Sequence, residues 1–122
     1  MLRPEYLFYT VPFFNNVKIA HIACGSNSTI FWCENAPQPT TSSTPSEFTV
    51  FGSGANLDCE LGIQGSFNLE TDQPVPLAHL NGSEIKQICA GSFHTAVLKK
   101  DGTVWTAGLN SDLQLGFEND QN

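Results

Sequence analysis

The fold is decided by the stretch Ile85-Lys-Gln-Ile-Cys-Ala-Gly91-Ser-Phe-His94-Thr-Ala-Val-Leu-Lys-Lys-Asp101-Gly102-Thr-Val-Trp105-Thr-Ala-Gly108. Two β-forming runs, 95–99 and 104–107, flank its Asp-Gly pair. Asp-Gly between such runs is a strong hairpin signal, because a type I′ turn requires positive φ at both central residues. With Asp101 and Gly102 at those positions, we predict that Leu98 faces Trp105 across the hairpin.

An earlier part of the chain repeats this pattern in weaker form. Residues 19–32 align with 85–98 at an offset of 66, and residues 50–62 align with 104–116 at an offset of 54. The offsets differ because the first copy carries a Pro/Ser/Thr-rich segment where the second copy has its tight turn. The chain therefore contains two copies of one β-rich unit. The alignment predicts that Trp32 faces Phe51 in the first copy.

The second copy resembles the repeat of the regulator of chromosome condensation 1 family. The resemblance rests on Gly-x-x-His-Thr, on Asp-Gly-x-Val-Trp and on Gly-x-Asn-x-Asp-x-Gln-Leu-Gly, and it covers residues 17–116. It implies an all-β fold of two propeller-type repeats in an incomplete ring, with the sequence repeat offset from the structural blade. We expect these positions to hold the repeat geometry: Gly25, Gly54, Gly62, Gly91, His94, Asp101, Gly102, Gly108 and Gly116.

The chain departs from the family pattern at a few positions. Ser28 stands where the family has His, and the first copy lacks the Asp-Gly turn. Cys59 and Leu113 replace the first glycine of the family's Gly-Gln-Leu-Gly. These departures bear on the geometry of two loops and leave the repeat itself intact.

We divide the chain into five parts. They are an N-terminal strand with the segment leading into the repeat (1–16), a first repeat (17–62), a connector (63–82), a second repeat (83–116) and an acidic tail (117–122). The N-terminal strand is predicted over Tyr6 to Val11. The insertion 35–48 has no apolar period, so we expect a mobile surface loop that folding does not require.

Charge and hydropathy exclude several function classes. The net charge is −7, with 5 basic against 12 acidic residues, and a nucleic-acid or anionic membrane surface needs clustered cations. No segment has the apolar length of a membrane span. The apolar run at 7–14 faintly resembles a signal peptide, but Pro12 interrupts it, and secretion is the minority interpretation.

The four cysteines, Cys24, Cys33, Cys59 and Cys89, show no C-x-x-C spacing. We interpret them as reduced structural thiols of a cytoplasmic or nuclear protein, with disulfides as the alternative. Cys24 and Cys89 stand beside the corner glycines, where small buried residues are expected.

Candidate chemistry is sparse. His94 is either a base or ligand, or a structural ring that packs and hydrogen-bonds a backbone carbonyl; the second interpretation is favoured because no nucleophile and orienting group accompany it. The loops beginning at Asn56 and Asn110 lack the ligand run of an EF-hand. Trp32, Phe51 and Trp105 are expected in the core, with a recognition patch as the alternative. We expect no enzyme activity, cofactor or metal.

The leading functional hypothesis is a non-catalytic protein-interaction or scaffold module within a larger propeller or assembly. Two repeats leave open faces and strand edges, so self-association or further blades should complete the structure. The alternative, implied by the resemblance, is a guanine-nucleotide exchange factor for a Ran-like small GTPase. Candidate interaction loops carry these residues: Pro37, Pro39, Pro45, Asn56, Asp58, Asn110 and Asp112.

Overall fold

The computed structural model describes residues 7–34, 49–63, 67–68 and 73–118, with the backbone alone at 67–68. The predicted all-β class is confirmed. The insertion 35–48 and residues 119–122 lie outside the described residues. Two single-turn 3-10 helices, Pro12–Phe14 and Gly82–Glu84, accompany the strands. The strands within these ranges are β1 (Ile19–Cys24), β2 (Ser28–Cys33), β3 (Val50–Asn56), β4 (Phe67–Asn68), β5 (Val75–Pro76), β6 (Ile85–Ala90), β7 (His94–Lys99) and β8 (Val104–Gly108).

The strands form two antiparallel sheets. Blade one has the order β1-β2-β3-β5, and the short β4 pairs with β3 only at Ala55 and Asn56. Blade two has the order β6-β7-β8. The strand pairing of the two blades matches in detail. The register shifts between Ile19 and His21 in β1 and at the corresponding residues of β6.

The predicted hairpin register is wrong by one residue. Gly102 is the only residue of the turn with positive φ, at 91°, and its N–H donates to the Lys99 carbonyl at 3.0 Å. The turn therefore has three residues and ends in a left-handed glycine, instead of two residues in a type I′ turn. Leu98 consequently faces Val104, and Trp105 faces Val97.

The corresponding register of blade one is wrong in the same way. Trp32 faces Val50, and Phe31 faces Phe51. A shift of one residue moves each side chain to the other face of a sheet, so the register decides which residues meet the neighbouring blade.

Asp101 stabilises the turn of blade two. Its carboxylate accepts hydrogen bonds from the Thr103 hydroxyl at 2.6 Å and from the Thr103 N–H at 2.9 Å. These bonds, the hydroxyl first, lower the pKa of Asp101 below its usual value. Because the folded-state pKa lies below the unfolded one, this contribution to stability is present above the unfolded pKa and disappears as the pH falls through the folded pKa.

The main core lies between the two blades. Its buried side chains come from both sheets and from the segment that connects them, and partly buried Trp32 and Ile88 pack against it. Burial of apolar surface on facing sheets is the principal term that holds two blades together. The core consists of Ala23, Ile30, Val50, Leu61, Leu77, Ile85 and Val97.

The opposite face of blade one is covered by the N-terminal segment. Phe14 is buried against Phe31 and Phe51, with ring centroids 4.8 and 5.8 Å away. Residues 7–11, however, form no strand, so the predicted N-terminal strand is wrong for its described part. The apolar residues of this segment favour a strand. A strand also requires a neighbouring strand with free backbone groups, and no described strand pairs with this segment.

Gly102→Val should destabilise the protein by about 1–2 kcal/mol, because a β-branched residue resists positive φ. No atom lies within 4 Å of the position that a Cβ would take there, so a loss of stability would report the backbone alone. Gly102→Asn is the control, since Asn tolerates the left-handed region. Thermal unfolding of both variants checks this, and equal losses in the two would contradict the assigned turn.

Candidate functional site

Two loops with the same geometry follow the last long strand of each blade. The Asn56 side chain accepts from the Leu61 N–H at 3.0 Å and donates to the Ile63 carbonyl at 2.9 Å. In blade two, Asn110 makes the same two bonds, to Leu115 and Phe117, at 3.0 and 2.8 Å. Each asparagine therefore ties its own loop into a fixed shape.

Both loops lack the family glycine and nevertheless share one geometry. Cys59 and Leu113 both adopt φ of 59°, the left-handed conformation that glycine adopts most readily. A non-glycine residue in this region costs about 1–2 kcal/mol. The surrounding hydrogen bonds therefore impose the conformation on residues that do not favour it.

His94 serves the corner between β6 and β7. Its imidazole lies over Gly91, so that a Cβ at Gly91 would collide with the ring, and the His94 carbonyl accepts from the Gly91 N–H at 2.8 Å. The expected hydrogen bond from the ring to a backbone carbonyl is absent among the described residues. In blade one, the smaller Ser28 occupies the corresponding position beside Gly25.

The remaining predicted repeat positions lie at the ends of strands and loops. Gly54 and Gly108 have φ of 97° and 120° and come so close to the Asn27 and Phe93 carbonyls that no side chain fits. Gly62 and Gly116 end the two asparagine-tied loops. These placements hold the backbone, and Gly62 also lines the groove described next.

An apolar groove of about 650 Å³ opens between the outer parts of the two blades. One wall comes from blade one and the connecting segment, including Leu61, Leu77 and Leu80, and the other from β8, including Trp105 and Ala107. The groove continues from the core between the blades to the surface. Its size and apolar lining suit it to receive an apolar segment.

Trp105 lies at the rim of this groove and is 47% exposed, so the expectation that it belongs to the core is wrong. The Lys99 ammonium lies 3.5 Å from the Trp105 ring centroid and 3.7 Å from the Glu84 carboxylate. Phe51, in contrast, is buried as expected, and Trp32 packs against the core. The cation packs over one face of the indole and holds the ring at the rim.

The structure separates the predicted interaction residues. Pro37, Pro39 and Pro45 lie outside the described residues. Asn56 is fully buried, so its side chain is not exposed for contact with a partner, and an interaction role for its loop stays a prediction. The sequence also missed the groove, whose walls come from residues far apart in the chain. Asp112 is exposed at the tip of its loop, whereas Asp58 and Asn110 are half-buried.

The expected burial of Cys24 and Cys89 is wrong. Cys24 and Cys89 are exposed, whereas Cys33 is buried. Burial raises the pKa of the Cys33 thiol to about 11 and keeps it protonated at neutral pH. No disulfide joins the four cysteines, all of which are described.

Neither a metal-ligand cluster nor a membrane-spanning helix occurs among the described residues. Within the described ranges, no group of three or more His, Cys, Asp or Glu side chains is placed to hold a metal ion. In the same part of the chain, no helix has the length and hydropathy required to cross a membrane.

Two stacked antiparallel blades with matching corners and matching asparagine-tied loops define the class: this is a segment of a β-propeller built from sequence repeats. Two family models described as "Regulator of chromosome condensation (RCC1) repeat" match residues 49–98 and 85–114, together more than half of the chain. The chain belongs to the RCC1 repeat family, as the sequence predicted. The first match runs from β3 into β7, so the sequence repeat is offset from the blade.

Curated relatives share the repeat within much longer chains. The X-linked retinitis pigmentosa GTPase regulator of Canis lupus familiaris is 30% identical over 107 residues, which are 86% of this chain and 9% of that protein. The probable E3 ubiquitin-protein ligase HERC4 of Homo sapiens is 42% identical over 69 residues, which are 55% of this chain and 6% of that protein. The chain thus spans less than a tenth of either relative.

Solved structures show the same fold. Yeast RCC1 (Prp20), solved bound to Kap60, superposes on this chain with a TM-score of 0.65 at 28% identity. The superposition covers 90% of this chain and 21% of the yeast chain. Human WBSCR16 superposes with a TM-score of 0.60 at 28% identity, covering 86% and 24%. This chain therefore corresponds to less than a quarter of either structure.

Asn56→Ala should destabilise the protein by about 3 kcal/mol, because it leaves a buried N–H and a carbonyl without partners. Asn110→Ala removes the same two bonds from the more exposed loop and should cost about 1 kcal/mol. Urea unfolding of both variants measures the difference. Equal losses would mean that burial does not distinguish the two loops.

Leu113→Gly should leave stability unchanged or raise it by up to about 1 kcal/mol, because glycine adopts the left-handed conformation without strain. Leu57→Gly is the control, since Leu57 has similar exposure (50% against 56%) and lies outside the residues with positive φ. That control should be destabilising. Differential scanning calorimetry compares them, and a clear loss at Leu113 would show that its side chain contributes more than its backbone strain removes.

Proposed function

We propose that this chain is a non-catalytic protein-interaction module, in which the groove beside Trp105 receives an apolar segment of a partner protein. The observation that carries the proposal is the half-exposed indole at the rim of an apolar groove of about 650 Å³. Buried aromatic anchors supply much of the binding energy in protein interfaces. Membership in the RCC1 repeat family supports an interaction role for the propeller fold.

Charge indicates the kind of segment that would bind. The chain carries a net charge of −7, so its long-range field attracts cationic partners and repels anionic ones. An apolar segment with basic flanks fits both the groove and this field. Such binding should weaken as ionic strength rises, because exposed charges are then screened.

Site-specific crosslinking tests the proposal. A photoreactive amino acid placed at position 105 should capture a partner that mass spectrometry identifies. The same residue at the exposed Lys86 of β6, away from the groove lining, should not capture it. With the purified partner, Trp105→Ala should weaken binding by about tenfold or more. Equal capture at both positions, or unchanged affinity, would contradict the assigned groove.

A second candidate is a guanine-nucleotide exchange factor for a Ran-like small GTPase. It is favoured by one observation, the resemblance to a protein named a GTPase regulator. Release of a fluorescent GDP analogue from a purified Ran-like GTPase tests it, with the isolated chain added in excess. Accelerated release would establish this activity, whereas release at the intrinsic rate would favour the interaction module.

A further inference from the structure

The segment before β1 corresponds to the segment before β6. The Phe14 N–H donates to the Val11 carbonyl at 3.1 Å, and the Leu80 N–H donates to the Leu77 carbonyl at 3.0 Å. Both pairs lie 66 residues apart, which is also the spacing of β1 and β6. The sequence similarity of Val11-Pro12 to Val75-Pro76 suggests a spacing of 64, but the hydrogen bonds correct it by two residues.

In blade one, this segment supplies the fourth strand. Val75 and Pro76 pair with Gly52 and Phe51, and the Leu77 N–H donates to the Val50 carbonyl at 2.8 Å. Leu77 is then buried in the core between the blades, at 3% exposure. The strand thus closes blade one and fills the adjoining core.

The equivalent residues 7–11, which we call the arm, form no strand. Leu7, Tyr9 and Val11 are 52%, 46% and 42% exposed, and Phe8 is fully exposed. The arm leads into Phe13 and Phe14, which pack on the face of blade one that is turned away from blade two. So much apolar surface on an extended segment is typical of a strand that pairs with another sheet.

The outer edge of β8 is the matching acceptor. Among the described residues no strand pairs with that edge, whereas the equivalent edge of β3 is occupied by β5. Val104 and Trp105, which correspond to Val50 and Phe51, are 62% and 47% exposed. An open edge next to exposed apolar side chains is a template for strand addition.

The two outer faces also carry a donor and an acceptor that correspond to those of a hydrogen bond between the blades. Between the blades, the buried Thr95 hydroxyl donates to the Glu60 carbonyl at 2.7 Å. Thr29 corresponds to Thr95, and Gln114 corresponds to Glu60, by the offsets of 66 and 54. Thr29 lies on the face turned away from blade two, and Gln114 lies in the loop that follows β8. The outer faces therefore have the donor and the acceptor that the inner faces join.

We propose that copies of this chain associate head to tail, with the arm of one copy added as the fourth strand to β8 of the next. By the register of β3 and β5, Thr10 of the neighbouring copy faces Trp105, and its Val11 N–H donates to the Val104 carbonyl. The Thr29 hydroxyl of that copy donates to the Gln114 carbonyl. Such an interface joins different surfaces, so it builds rings or open chains according to its rotation.

We assign a second copy as the partner because the arm and the β8 edge both belong to this chain. The repeat sets the register in which they would pair. The inference deepens the proposed function. It rests on that function because it requires the surface around Trp105 to bind a partner. It names one such partner as the chain itself. Both copies carry a net charge of −7, so this association should strengthen as ionic strength rises, whereas binding of a partner with basic flanks should weaken.

Proline substitutions in the arm test the association. Val11→Pro removes the Val11 N–H, which corresponds to the Leu77 N–H that donates to the Val50 carbonyl in blade one. The φ of Val11, −89°, is close to that of proline. Thr10→Pro is the matched control, because Pro76 already occupies the equivalent position in the fourth strand. Both substitutions lie in an exposed segment, so the fold should persist, which circular dichroism checks.

Sedimentation velocity of the purified 122-residue chain, with no other protein present, should show association that grows with concentration. Val11→Pro should weaken it by about tenfold, whereas Thr10→Pro should preserve it. Thr29→Val should also weaken it. A monomer at every concentration, or association that Val11→Pro leaves unchanged, would overturn the inference. Capture of another protein at position 105 would still support the proposed function, so the two failures are distinguishable.

Discussion

The contact between the two blades is the constraint on which the rest of the structure depends. Neither sheet can bury both of its faces alone, so the core between them must supply most of the apolar burial. The Ser26 N–H donates to the Ser92 carbonyl between the corners of the blades, and a buried hydrogen bond from the Thr95 hydroxyl to the Glu60 carbonyl also joins the sheets. The latter bond requires the Asn56 loop to hold that carbonyl in place. The loop geometry and the stacking of the blades are therefore parts of one arrangement.

This dependence explains why the chain tolerates departures from the family pattern. Cys59 and Leu113 occupy a conformation that glycine adopts more readily, because the bonds made by Asn56 and Asn110 impose it. Ser28 replaces a histidine whose counterpart, His94, only packs over a glycine. Side chains whose role is to fill space can change, whereas the asparagines that organise the backbone are present in both copies.

The same repetition gives the molecule its interaction surfaces. Each outer face of a two-blade segment is equivalent to a face that is buried inside it, and apolar side chains such as Val104 and Phe8 are exposed there. Phe51, the counterpart of Trp105 in blade one, packs against Phe13 and Phe14, and β5 pairs with its strand, whereas no described strand pairs with the outer edge of β8 beside Trp105. Trp105 is exposed because of its position within the two-blade segment, and this exposure makes the groove available to a partner.

The sequence by itself determined the all-β class, the two repeats and the family, because glycine corners and β-forming runs recur at fixed spacing. It did not determine the register. An Asp-Gly pair is compatible with two-residue and three-residue turns, and only the hydrogen bond from Gly102 to Lys99 distinguishes them. The groove and the burial of Asn56 also required the tertiary structure, since they depend on which blade faces which. Exposure of Cys24 and Trp105 is likewise a property of the packed sheets, and a local pattern carries no information about the neighbouring blade.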